Sequence, residues 1–176
     1  MTPQWKERAV AVTVNNRPDV LARIAATFSA RGFNIESISA NVTRDPAVTK
    51  IVITTLTTPD TITRVIKQLD RLVDVRDVRR VRRGQAVWRE LILARVPLSG
   101  RSDAGLRKLL ESSGGKIVSR DSGHALVEFT GDRDTVEGIL RALETLGVED
   151  LTRSGVVALE KASGSGKTGP LHSRPE

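Results

Sequence analysis

The side chains able to run a reaction are few, and their spacing rules most reactions out. The chain has no cysteine and two histidines, His124 and His172. Disulfide frameworks, thiolate metal sites and cysteine nucleophiles are thereby excluded. One histidine opens a predicted strand and the other lies in a tail, so neither a paired-imidazole metal site nor a histidine-based triad assembles. Glu36, Glu90 and Glu128 are scattered singly, and a lone Glu on a strand is expected at the surface rather than as a general base. The run Gly164-Ser165-Gly166-Lys167-Thr168 ends like a phosphate-binding loop. Lys161 stands where that loop needs its first Gly, however, and Gly169-Pro170 forbids the helix that must follow. It reads as a linker.

Two features keep more interest. Arg76, Arg79, Arg80, Arg82 and Arg83 form the densest basic run. Charge of this kind protects a strand edge from unwanted pairing, and a docking patch for an acidic partner is the sharper reading. The turn Asn16-Arg17-Pro18-Asp19 feeds a helix N-terminus, where free amides and the helix dipole favour a carboxylate. On the residues alone it is a turn with Asp19 as the helix cap.

The elements that position these residues follow from composition and period. With 176 residues and 39% hydrophobic content the chain is globular and long enough for one large domain or two small ones. No stretch approaches the roughly 18 apolar residues of a membrane span, and Met1 to Arg8 lacks the apolar core of a leader, so no membrane and a cytoplasmic home are expected. A net charge of +7 invites nucleic acid, but aromatics total 3% and there is no Tyr. Phe28, Phe33, Phe129, Trp5 and Trp88 are too few to stack bases, so no nucleic-acid partner is expected.

Val10, Val12 and Val14 alternate as a strand, and Val20, Leu21, Ile24, Ala25 and Phe28 recur at helical steps, with Gly32 just past the end. Ile38, Ala40 and Val42, then Ile51 and Ile53, make two antiparallel strands around Arg44-Asp45-Pro46. A second helix, capped by Asp60 or Thr61, carries Ile62, Val65, Ile66, Leu69, Leu72 and Val73, and a strand follows through Val75, Val78 and Val81. After Gly84 the order repeats: a strand over Trp88 to Val96, a helix around Leu106, Leu109 and Leu110, strands near Lys116 to Ser119 and Ala125 to Phe129. A helix through Val136, Ile139, Leu140, Leu143 and Leu146 then closes at Gly147, before a final strand Gly155 to Leu159. The prediction is an α+β chain of two tandem ferredoxin-like βαββαβ units over 8–83 and 84–161, with a disordered tail over 162–176. Units of about 75 residues bury their surface poorly, which favours a homodimer through a sheet edge or face.

The loop Asn16 to Leu21, followed by Arg31-Gly32-Phe33-Asn34-Ile35-Glu36-Ser37-Ile38, resembles the small, regulatory subunits of acetolactate synthase. Leu72-Val73-Asp74-Val75 and Arg153 to Leu159 extend the resemblance over roughly residues 8 to 160. It implies that the first unit is an ACT domain and that the chain, non-catalytic itself, activates a large subunit that condenses two pyruvates to acetolactate in valine, isoleucine and leucine biosynthesis. Thiamine diphosphate, a divalent metal (Mg) and FAD then belong to that large subunit and no cofactor to this chain. The alternative is a stand-alone ACT-domain sensor of amino acids that controls another enzyme. The resemblance further implies a dimer of side-by-side sheets with valine at the joint. Asn16 and the amides of Asp19, Val20 and Leu21 then face its carboxylate, while Asn34 and Ile35 of the other copy hold its ammonium.

The family pattern has Gly where Asp19 stands. An acid there is expected to accept the helix amides as an internal substitute for the ligand, weakening or closing the site while activation survives. Asp19→Gly is then expected to tighten valine binding at a small cost in helix capping.

Overall fold

The computed structural model describes residues 5–161; the glycine-rich run Gly164 to Thr168, His172 and the tail over 162–176 lie outside the described residues. The chain divides into two compact units, one running through Val87 and including the described residues from Ala158 onward, the other Trp88–Val157.

The first unit runs β1 (Lys6–Asn15), α1 (Val20–Ser29), β2 (Ser37–Val42), β3 (Val48–Thr57), α2 (Pro59–Leu69) and β4 (Val75–Val81). Its antiparallel sheet has the order β2-β3-β1-β4, so β2 and β4 are the two edges. The alternation of Val10, Val12 and Val14 works as its period demands. These residues face one side with Ile51 and Ile53, and Val20, Ile24, Phe28, Ile62, Val65 and Leu69 cover them from the helices. Phe28 is fully buried, and truncating it to Ala would remove on the order of 3–5 kcal/mol. Gly32, at φ 66°, ends α1: it lets the Phe33 N–H return to the Phe28 carbonyl at 3.1 Å. The cap of α2 is neither Asp60 nor Thr61. Thr58 accepts from the Thr61 N–H at 3.3 Å, and Pro59 takes the first helical position, where its missing N–H costs nothing.

A single 3₁₀ turn (Arg83–Gln85) leads to β5 (Ala86–Pro97), α3 (Gly100–Ser113), β6 (Lys116–Arg120), β7 (His124–Gly131), α4 (Arg133–Thr145) and β8 (Asp150–Arg153), followed by β9 (Val157–Glu160). The order β6-β7-β5-β8 is the first sheet's order again, with Ile92, Ala94, Val96, Ala125, Val127 and Phe129 inward against Leu106, Val136, Ile139 and Leu143. One expectation needs correction. The strand that closes this unit is Asp150–Arg153, paired with Ile92 to Arg95, and not Gly155 to Leu159. Gly155 at φ 73° breaks the chain between the two segments, and β9 pairs with β5 separately. The closing strand carries no periodic signal because only Leu151 of its four residues is apolar and none is fully buried.

Candidate functional site

The end of β1 and the start of α1 are fastened from two directions. On one side the Asn16 N–H donates to the Ala47 carbonyl at 2.8 Å, and its side-chain amide donates to the Pro46 carbonyl at 2.9 Å. The Thr49 hydroxyl donates back to Asn16 Oδ1 at 3.1 Å. Asn16 therefore spends both ends of its side chain tying the loop to the β2–β3 turn, and positions the loop rather than offering a free ligand group. On the other side the Asn15 N–H donates to the Asp74 carbonyl at 2.8 Å.

Asp74 is the residue that sequence reasoning passed over. Its carboxylate is buried at the entry to β4. It accepts from Asn15 Nδ2 at 3.3 Å and from Arg23 on the first turn of α1, and Arg17 lies 3.7 Å away. Arg76 completes the cluster by donating to Asn15 Oδ1 at 2.6 Å. The Asn15 amide first, then the Arg23 guanidinium and more weakly Arg17, hold the Asp74 carboxyl below the usual carboxylate range against the opposing effect of burial. Loop and helix are thus locked to β4 by charge-assisted bonds. The available signal was the Leu72 to Val75 segment, but its partners lie 51 to 59 residues away in sequence.

Asp19 departs from expectation. It has φ 68° and ψ −15°, the one non-glycine residue with positive φ among those described. Its side chain makes no capping bond and is exposed, so it does not substitute for a ligand at the helix amides. Its carbonyl accepts from the Arg23 N–H at 2.9 Å and starts the helix. The backbone conformation is the one that glycine adopts without strain. Val20 is buried in the core and Leu21 is half exposed beside it. The first amides of α1 are left without a side-chain cap, an arrangement suited to a small carboxylate.

Asn34 and Ile35 are not brought to this loop. The Asn34 carbonyl accepts from Thr55 Oγ1 at 2.7 Å, its side-chain amide reaches Glu36 at 3.2 Å, and Ile35 packs on the margin of the core. Thr55 pairs with Arg8 near the start of β1, whereas Asn15 pairs with Val48 at its end. Asn16 to Leu21 and Asn34-Ile35 therefore lie at opposite ends of the sheet, separated by the ten residues of α1, or about 15 Å.

Elsewhere, Glu90 corrects the expectation of a surface carboxylate. It is 3% exposed and takes a bidentate pair from Arg153 at 2.7 and 2.8 Å. Glu128 is half-buried and pairs with Lys116 at 2.9 Å. His124 lies 3.1 Å from Glu149 and 3.7 Å from Asp121. Among the described residues no group of three acidic or imidazole side chains has metal-binding geometry, and no helix is long and apolar enough to cross a membrane.

Comparison with known proteins places both units. Residues 10–77 match the family described as AHAS small subunit-like ACT domain, and residues 89–162 match the small subunit of acetolactate synthase. The acetolactate synthase small subunit of Mycobacterium bovis is 33% identical over 158 residues, covering 89% of this chain and 93% of that one. The corresponding protein of Aquifex aeolicus is 32% identical, covering 90% and 83%. The crystal structure of the acetolactate synthase small subunit from Thermotoga maritima superposes with a TM-score of 0.82 at 31% identity, covering 90% of this chain and 99% of that one.

Proposed function

We propose, from the fact that this chain belongs to the family of acetolactate synthase small subunits, that it binds and activates an acetolactate synthase large subunit in the cytoplasm and adjusts it to the level of valine. The condensation of pyruvate, with its thiamine diphosphate, divalent metal and FAD, takes place on that large subunit. The small subunit contributes a regulatory surface and an amino-acid sensor.

The observation that carries the sensing reading is the placement of the two half-sites at opposite ends of a sheet whose β2 edge is unpaired on one side. Antiparallel pairing of two β2 edges about a two-fold axis carries the Asn34-Ile35 end of one copy to the Asn16 to Leu21 end of the other. Ile38, Ala40 and Val42 are exposed along that edge and gain cover from such pairing. A valine at the joint places its carboxylate at the uncapped start of α1 and its ammonium at the Asn34 carbonyl and side-chain oxygen. The side chain of Asp19 flanks this position as a like charge in solvent, so binding is weak rather than abolished.

The test adds the purified chain to a large subunit and follows acetolactate formation with and without valine. A rise in rate that valine reverses supports the reading. Asn34→Ala is expected to keep the rise and blunt the valine response, because its side chain reaches only Glu36, at the surface. No rise with the wild type would overturn activation, and an undiminished valine response in Asn34→Ala would remove Asn34 from the site.

A further inference from the structure

The basic run on β4 separates into two groups once its partners are known. Arg76 is bound to Asn15, Arg79 to Asp77 at 2.8 Å and Glu160 at 3.5 Å, and Arg83 to Glu7 at 3.2 Å. Arg80 and Arg82 have no carboxylate within 4.0 Å among the described residues, and neither have Arg8 and Lys6. These four cations share one place. Val10 faces Arg80 across the β1–β4 ladder, and side chains two apart point the same way, so Lys6, Arg8 and Arg80 lie on one face. Arg82, extended one residue beyond β4, continues the alternation. Asp60, in the first turn of the neighbouring helix α2, pairs with none of them.

Like charges gathered on one face repel, and the arrangement is already felt: burial first, and the Arg80 charge second, lower the pKa of the half-buried Arg8. Among the described residues β4 is also an outer strand, with β1 as its one neighbour in the sheet. It lies across the sheet from β2, which self-pairing would occupy.

We infer that the face formed by Lys6, Arg8, Arg80 and Arg82, beside the free edge of β4, is the seat of an acidic segment of the large subunit. The inference rests on the small-subunit reading above and adds a location to it. A protein partner bearing Asp and Glu supplies the counter-charges these cations lack, and such a contact fixes register and speeds encounter. It also accounts for a chain that is strongly basic yet poor in aromatics.

The experiment titrates the full chain into the large subunit by calorimetry at low and high salt, using wild type, Arg80→Glu/Arg82→Glu, and a control with the same change in net charge, Lys108→Glu/Arg141→Glu. Thermal unfolding checks that both variants fold, and carbodiimide cross-linking of the wild-type complex, read by mass spectrometry, asks what Lys6 touches. The expected result is binding weakened at least about tenfold by the β4 reversals and little by the control, a shallower salt dependence, and a link from Lys6 to an Asp or Glu of the large subunit. Equal loss in the control, or undiminished binding in a folded Arg80→Glu/Arg82→Glu chain, overturns the location and leaves the small-subunit reading standing. A defect confined to self-association assigns the face to a second copy and likewise overturns it. Absence of any wild-type binding defeats the small-subunit reading and this inference together.

Discussion

The β1–α1 and β5–α3 connections occupy the same place in the same topology and finish their helices in opposite ways. In the second unit Ser99 and Ser102 form a capping box: Ser102 Oγ accepts from the Ser99 N–H at 2.8 Å and lies 2.6 Å from the Pro97 carbonyl, to which it donates. Ser102 is buried, so the start of α3 is sealed by its own sequence. In the first unit Asp19 stands in a left-handed conformation with its side chain off the helix, and α1 begins with no side-chain cap. Among the described residues each unit also buries one carboxylate, Glu90 against Arg153 on a neighbouring strand and Asp74 against Arg23 on the helix that starts at the loop. One copy of the topology has closed this corner with hydroxyls and the other holds it ready with arginines. The two connections thus differ in one respect that bears on the proposed function: α3 starts with an internal acceptor and α1 without one.

Four measurements sharpen or break that contrast. The largest effect is expected at Glu90→Ala, which removes the bidentate partner of Arg153 and leaves it Glu137 at 3.7 Å; it should destabilise the second unit by about 2–3 kcal/mol in urea unfolding. On the proposed function, any valine response should survive at urea concentrations below that transition. Next, Ser102→Ala removes the seal on α3 and should cost about 1–2 kcal/mol with no change in valine affinity by calorimetry. A change in affinity would mean that the sealed corner takes part in sensing after all.

Asp19→Gly should do the reverse in both respects. Removing a left-handed non-glycine residue with no cap bond stabilises by about 1 kcal/mol, and removing its charge tightens valine binding about fivefold, at the solvent-exposed end of the Coulomb estimate. A lower melting temperature in this variant would show that the aspartate stabilises the helix start in some other way. The smallest effect is in acid. The lowered pKa of Asp74 contributes stability that is fully present above the ordinary Asp value of about 3.9 and is lost as pH falls through the lowered one. Urea midpoints should therefore be level near neutrality and fall below about pH 4, with Asp74→Asn flattening part of the fall. An acid limb unchanged in Asp74→Asn would assign the loss to Asp103 and Asp121, which are also held below the usual range.

The fold was legible wherever one face of an element carries the packing. Val10, Val12 and Val14, or Val136, Ile139 and Leu143, announce their period because burial repeats with it. The closing strand Asp150–Arg153 was not, since an edge strand with one apolar residue carries no periodic signal, while the apolar run after Gly155 carries a stronger one. At the candidate site the segment Arg31 to Ile38 and the loop Asn16 to Leu21 were recognisable as sequence. Asp19 does not cap the helix because capping preference describes an extended residue, whereas it stands at positive φ in a loop pinned to Ala47 and Asp74. The sign of the predicted stability change in Asp19→Gly reverses for that reason. Asp74 with Arg23, and Asn16 with Thr49, join residues far apart in the chain, and no local pattern announces such pairs.

The division of the chain bears on its synthesis. The first unit is interrupted: it runs through Val87 and resumes at Ala158 within β9, whose Glu160 pairs with Arg79 and whose following residue, Lys161, donates to the Gln85 carbonyl. Roughly 70 residues of the second unit separate the two parts. At elongation rates of about 5–20 residues per second, a ribosome delivers the first sheet several seconds before the strand that finishes its unit. The nascent protein therefore folds its four-stranded sheet early and, for that interval, carries Arg79 without Glu160.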